Sequence, residues 1–212
     1  MIYDEKELEA LKEAVSIHMS EKRFLHTLGV METAVYLAEF CMPASKFDIA
    51  VAALLHDVSK EMSNGEQIEL IKSCGLKADK EDFAAPKTLH ALTARIIIER
   101  YFSEYSTERI INAVRYHTVG SPQMTLFDEI IFLSDFIEPT RKYDSCIALR
   151  NEVYSGLSND SKESNVLLIH RAVVRAMDYT IENLIKNNRH ISSKTVLTRN
   201  ALLDKINNTV KI

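Results

Sequence analysis

The sequence predicts an all-α protein, a single helical bundle, on three observations. Its 212 residues are 46% apolar, which suits one core in one domain. Only 5 Gly and 4 Pro occur, against roughly a dozen of each at average usage, so turn punctuation is scarce and helices joined by short connections are expected. Apolar residues also recur at three- and four-residue spacing in most segments, the period of a helix with one buried face.

The elements follow in order. Leu8, Leu11, Val15 and Met19 mark a first helix with a charged outer face. Ser20 offers an N-cap for a second helix through Phe40, with an inner stripe of Phe24, Leu28, Met31, Val35 and Ala38. After Pro43 and Ser45, the segment FDIAVAALLHDV is apolar on nearly every side, so it is expected at the centre of the bundle with His56 and Asp57 at its C-terminal end. EQIELIKSCG reads as a short helix capped by Gly75 within a looser, Lys-rich excursion. A helix starting near Pro86 or Thr88 carries His90 on its first turn and runs through ARIIIERYF. Thr107 caps INAVRYHTVG, which ends at Gly120 with His117 in the last turn, and LFDEIIFLSDFIEP carries Asp135 and is closed by Pro139. The chain then passes through TRKYDS to a long amphipathic helix starting near Ser164, a polar connection and a short helix in RNALLDKI. Residues 1–212 are read as one domain with its core at about 20–150 and the terminal helices packed upon it.

A formal charge of −4 and a pI near 6.0 give no broad basic field, which argues against nucleic acid as the main ligand. Cys41, Cys74 and Cys146 are odd in number and widely spaced, so they read as buried or semi-buried free thiols in a reducing cytosol. No apolar run approaches the roughly 20 residues of a membrane span, and the opening MIYDEKELEALKEAV is acidic and amphipathic, unlike a signal peptide. A cytoplasmic protein is expected.

The chemistry is concentrated in RFLHTLGV, LLHDVSK, TLHALTA, VRYHTVG and FLSDFIE. Each sets His26, His56 with Asp57, His90, His117 or Asp135 on an apolar face or at a helix end. A buried polar group without a partner costs about 1–3 kcal/mol, and imidazole with carboxylate, free of thiolate, suits Fe, Mn, Co or Zn. Adjacent helical residues point about 100° apart. His56 and Asp57 therefore meet one metal only from a helix end or a distorted turn, unless Asp57 bridges to a second ion. His18, His170 and His190 have no such context. His170 and Arg171 are read as packed or surface positions ahead of a role in ligand contact.

The ordered set His26, His56–Asp57 and Asp135 resembles the H...HD...D signature of the HD phosphohydrolase superfamily. RFLHTLGVMETA, AALLHDVSK, VRYHTVG, FLSDFIEPTR and RNALL extend the resemblance to the YqeK family over nearly the whole chain. One block departs from that family's pattern: HALTARI lacks the glycines that follow the histidine there. The resemblance implies an all-α HD-domain bundle and symmetrical hydrolysis of diadenosine tetraphosphate to two ADP at an iron-containing site, with Mn or Co as substitutes. It carries His26, His56, Asp57 and Asp135 over as ligands of the metal.

His90 and His117 are then ligands of a second metal or contacts to phosphate, so one or two ions per chain are expected. The nucleophile expected is a metal-activated hydroxide, with His56, Asp57 and Lys60 as the catalytic group. Arg23, His26, Lys60, His90, His117, Thr118 and Arg141 form the substrate-binding set, with Lys60, Arg141 and Arg23 as the phosphate-facing cations. Tyr116 and Tyr143 are candidates for the base by position. Two other readings stay open: an HD-domain nucleotidase or phosphodiesterase acting on another nucleotide, and a non-catalytic nucleotide-binding module. The C-terminal amphipathic helix leaves a homodimer open beside a role in its own core.

Overall fold

The structure, a computed structural model, describes residues 5–210, so the first four residues of the amphipathic opening lie outside it. Eleven α-helices occur among the described residues, with no strand: α1 (Glu5–Ser16), α2 (Glu21–Cys41), α3 (Lys46–Leu55), α4 (Asn64–Ser73), α5 (Lys80–Ala84), α6 (His90–Tyr101), α7 (Glu108–Tyr116), α8 (Leu126–Ile137), α9 (Asp144–Gly156), α10 (Lys162–Lys186) and α11 (Ser193–Val210).

The centre is α3, where Ile49 through Leu55 are all fully buried, as expected of a helix apolar on every side. It packs on α1, α2, α7 and α8. Truncating Leu54 or Leu55 to alanine in such a setting costs about 2–5 kcal/mol. Helix α2 touches α3, α8 and α10. Because three neighbours cover it, the buried surface is wider than one stripe and only partly follows the expected one: Met31 and Ala38 are buried as expected, together with Val30, Ala34, Leu37 and Cys41, whereas Phe24, Leu28 and Val35 stay half-buried. Side chains do cap the starts of several helices. Ser20 accepts from the Arg23 amide, Thr107 from Ile110 and Thr125 from Asp128.

Several boundaries differ from expectation. Helix α3 ends at Leu55, before His56, and α7 ends at Tyr116, before His117, where the expected helix ran to Gly120. The segment TRKYDS leads into α9, a helix absent from the expected list, whose sparse buried set of Cys146, Leu149 and Val153 is too short a signal to stand out. Helix α11 has 18 residues where a short helix was expected. It is tied to α5 by Glu81, whose carboxylate accepts from the Ser193 amide and hydroxyl. Gly120, at φ +77°, ends the α7 connection where a Cβ would lie 2.8 Å from Thr198 of α11 and 2.9 Å from Met177 of α10.

Cys41 and Cys146 are buried, but Cys74 is exposed at the end of α4, contrary to the expectation for all three. No described helix is long and apolar enough to cross a membrane.

Candidate metal centre

The end of α3 sets the geometry. Beyond Leu55 the chain makes successive three-residue turns, with amide donations from Val58 to Leu55 and from Lys60 to Asp57. His56 and Asp57 thus leave a helix end. The His56 Nδ1–H donates to the Ala53 carbonyl at 2.6 Å. One helix away, past the end of α7, the His117 Nδ1–H donates to the Val114 carbonyl, also at 2.6 Å. On α2 the His26 Nδ1–H donates to Glu138 Oε1 at 3.0 Å. Carbonyl and carboxylate oxygens only accept, so Nδ1 carries the proton in all three rings and the neutral ring turns an Nε2 lone pair inward.

Those Nε2 atoms converge on carboxylate oxygens. His26 Nε2 lies 3.1 Å from Asp135 Oδ1 and 3.8 Å from Asp57 Oδ2; His56 Nε2 lies 3.4 Å from Asp57 Oδ2; His117 Nε2 lies 3.6 Å from Asp57 Oδ1. His26 Nε2, His56 Nε2 and Asp57 Oδ1 are buried with no hydrogen-bond partner. Leaving such groups unsatisfied is costly. Two atoms bound at about 2.0–2.2 Å to one ion stand roughly 3–4.4 Å apart, and the separations here fall in that window. Two groups therefore fit a cation: His26, His56 and Asp135, and His56, Asp57 and His117, each with ligand atoms within 4.8 Å of one another. His90 joins the second group, its Nε2 3.1 Å from Asp57 Oδ1 and 3.0 Å from His117 Nε2. Asp57 faces both groups.

Without a cation the site's protons are strongly displaced. Burial opposes charge on His26, but hydrogen bonding to Asp135 and Glu138 outweighs it and raises the imidazole to about 9. Burial pushes His90 down to about 4 against the pull of Asp57, and also lowers His117. Asp57 is buried, which disfavours its charge, yet His56, His117 and His90 hold it well below the carboxylate range. Asp135 is likewise held low, by Arg141, His26 and His56 against burial.

The expected cations lie around this core. Arg23 donates to Asp57 Oδ2 at 2.8 Å. Arg141 is ion-paired with Asp135, and its Nε donates to the Asp135 carbonyl at 3.0 Å. Lys60 places Nζ 3.2 Å from both nitrogens of His90, and burial lowers its pKa. Thr118 has a buried hydroxyl without a hydrogen-bond partner. The alanines of HALTARI, Ala91 and Ala94, are fully buried inside α6.

The residues outside the core divide clearly. His170 hydrogen-bonds to the buried carboxylate of Glu129, which Lys205 also contacts at 2.9 Å, while Arg171 is exposed. Tyr116 packs against the main core, whereas Tyr143 is 72% exposed.

Glu138 was missed from sequence. It is fully buried, orients His26, and accepts from the Thr140 amide at 2.6 Å. Its signal was available: it lies three residues after Asp135 at the end of the same helix, where i and i+3 share a face. Arg150 of α9 was missed with that helix. Its guanidinium donates to the carbonyls of Ile137 at 3.1 Å and Glu138 at 2.7 Å, fixing the segment that presents Arg141.

The HD domain family model matches residues 23–140. The chain is 32% identical over 191 residues to a symmetrical bis(5'-nucleosyl)-tetraphosphatase of Halalkalibacterium halodurans, covering 89% of this chain and 93% of that protein. It is 31% identical to the Bacillus subtilis protein of the same name, covering 89% of this chain and 94% of the relative. A crystal structure from Clostridium acetobutylicum, described as an HD superfamily hydrolase involved in NAD metabolism, superimposes with a TM-score of 0.78 at 28% identity, over 93% of this chain and 97% of that one.

Proposed function

The chain belongs to the HD domain family, among the symmetrical bis(5'-nucleosyl)-tetraphosphatases, and on that premise we propose that it hydrolyses diadenosine tetraphosphate at its central anhydride to give two ADP. It is a hydrolase of phosphoric anhydrides and depends on metal. The observation that carries the site assignment is the convergence of the Nε2 atoms of His26, His56 and His117 on carboxylate oxygens of Asp57 and Asp135, with His26 Nε2, His56 Nε2 and Asp57 Oδ1 buried and without a hydrogen-bond partner.

His26, His56, Asp57 and Asp135 would hold one ion, and Asp57 with His117 and His90 a second; iron is the metal proposed. Bound there, the metal supplies Lewis acidity, activating water at neutral pH and screening phosphate charge. The protein's own contribution is positional and electrostatic. Glu138 and the Ala53 and Val114 carbonyls fix the ring orientations. Arg141 presents a fork to phosphate oxygens from beside Asp135, while Lys60 and Arg23 add positive charge where the reaction gathers negative charge on the bridging oxygen. Water adds to one phosphorus next to that oxygen, and ADP departs with it.

The matched relatives favour this substrate over another nucleotide or a silent binding module. Anion-exchange analysis of products from diadenosine tetraphosphate tests the reading, using protein purified without oxygen and assayed with iron, manganese and cobalt. ADP as sole product is expected. AMP with ATP, or an intact substrate beside protein of full metal content, would overturn it.

A further inference from the structure

Two cavities flank the segment from Asp135 to Tyr143 and share Arg141 and Tyr143 in their walls. The larger, about 770 Å³, reaches His26 and Arg23. The smaller, about 320 Å³, is lined by Asp135 and Arg141 and by Phe136, Tyr179, Asn183 and Arg189. Beyond Asp135 and Arg141, its walls take no part in the metal centre.

Its walls have the chemistry of a nucleoside site. Phe136 and Tyr179 both line it and lie nearly parallel, 8° between planes and 6.4 Å between centroids, giving it an aromatic wall. Arg175 donates to the Tyr179 hydroxyl at 3.0 Å, which steadies that ring. Asn183, exposed near the end of α10, brings an amide that both donates and accepts, the pairing needed at a base edge. Arg189 adds a cation on the same wall; it follows Asn188, whose left-handed φ of 50° turns the chain back after α10. Aromatic walls with a few convergent polar groups in a volume near 300 Å³ suit a small ligand.

The reaction itself calls for two such places. Its scissile bond is the midpoint of the substrate, so one nucleoside diphosphate must extend to each side of the metal ligands. We propose that the smaller cavity takes the second nucleoside of a dinucleoside polyphosphate whose first half lies in the larger cavity, with Arg141 and Tyr143 standing between the halves. This rests on the tetraphosphatase reading above. Phe136 and Tyr179 stack the base, while Asn183 and Arg189 meet its edge and the ribose.

The test compares two substrates, diadenosine tetraphosphate and adenosine 5'-tetraphosphate, which has one nucleoside. The wild type is assayed beside Tyr179→Leu and the two surface variants Asn183→Ala and Arg189→Ala. Stacking is worth about 1–3 kcal/mol per base, so the ratio of kcat/KM for the dinucleotide to that for the mononucleoside should fall roughly 10- to 100-fold in Tyr179→Leu, and less in the other two. Equilibrium titration with ADP should give two sites per wild-type chain and one in Tyr179→Leu. An unchanged ratio in all three variants, or a single ADP site in the wild type, overturns the second subsite while leaving the tetraphosphatase reading intact. A wild type that leaves the dinucleotide uncleaved overturns that reading, and the subsite with it.

Discussion

Replacing Gly29 by alanine sets two physical effects against each other. Gly29 lies in the interior of α2, where alanine is favoured over glycine by about 1 kcal/mol, so helix propensity alone predicts a more stable protein. The position is crowded, however. A Cβ there would come within 2.7 Å of Glu138 Oε2, and that carboxylate is fully buried, holding the His26 Nδ1–H at 3.0 Å and the Thr140 amide at 2.6 Å. To relieve the overlap, Glu138 must give up one of these bonds or α2 must move away from the site. Overpacking of this kind costs about 1–3 kcal/mol, which meets or exceeds the propensity gain, so the thermal midpoint should be unchanged or lower. The larger effect falls on the metal: losing the outer partner of a ligating histidine weakens binding roughly 10- to 100-fold. Competition against a chelator of known affinity measures this directly, with a melting curve on the same metal-free samples. A variant that melts higher and binds metal as tightly as wild type would show that Glu138 shifts freely and does not orient His26.

Three further outcomes follow from the same geometry. Asp57→Asn should lose more metal affinity than the roughly 10- to 100-fold of an outer-shell change, because Asp57 faces His26, His56, His90 and His117 at once; elemental analysis after dialysis checks it, and full metal content would remove Asp57 from the ligand set. His117→Ala should bind one ion fewer than wild type and keep the ion on His26, His56 and Asp135; loss of all metal would mean that the two groups do not bind separately. Metal uptake should release protons near pH 7.5. His26 is charged in the metal-free protein below about 9, and a metal takes the lone pair that the proton occupies, so affinity should rise as pH climbs toward 9 and level off above it. Indicator-dye titration in weak buffer measures the release, and a His26→Asn variant that releases as many protons as wild type would exclude His26 as their source.

Much of this protein was determined by the sequence alone, for local reasons. Helix periodicity, scarce Gly and Pro, and capping residues such as Ser20 and Thr107 act over a few residues, so the helical class and most of the elements were legible. So was the kind of centre, because imidazole and carboxylate set in apolar segments need a partner wherever the chain carries them. What only the tertiary structure decided depends on residues far apart in the chain. Which way α2 turns was set by three neighbours at once. The length of α11 and the presence of α9 went unread because their buried positions are few, yet α9 supplies Arg150, which holds the segment bearing Glu138 and Arg141. The protonated nitrogen of each histidine was likewise beyond the sequence: the Ala53 and Val114 carbonyls and the Glu138 carboxylate select it, and a lone pair can be aimed only after the backbone is in place. Residue types determined that a metal would suit this chain, and the packing of α2, α3, α7 and α8 decided where the lone pairs meet.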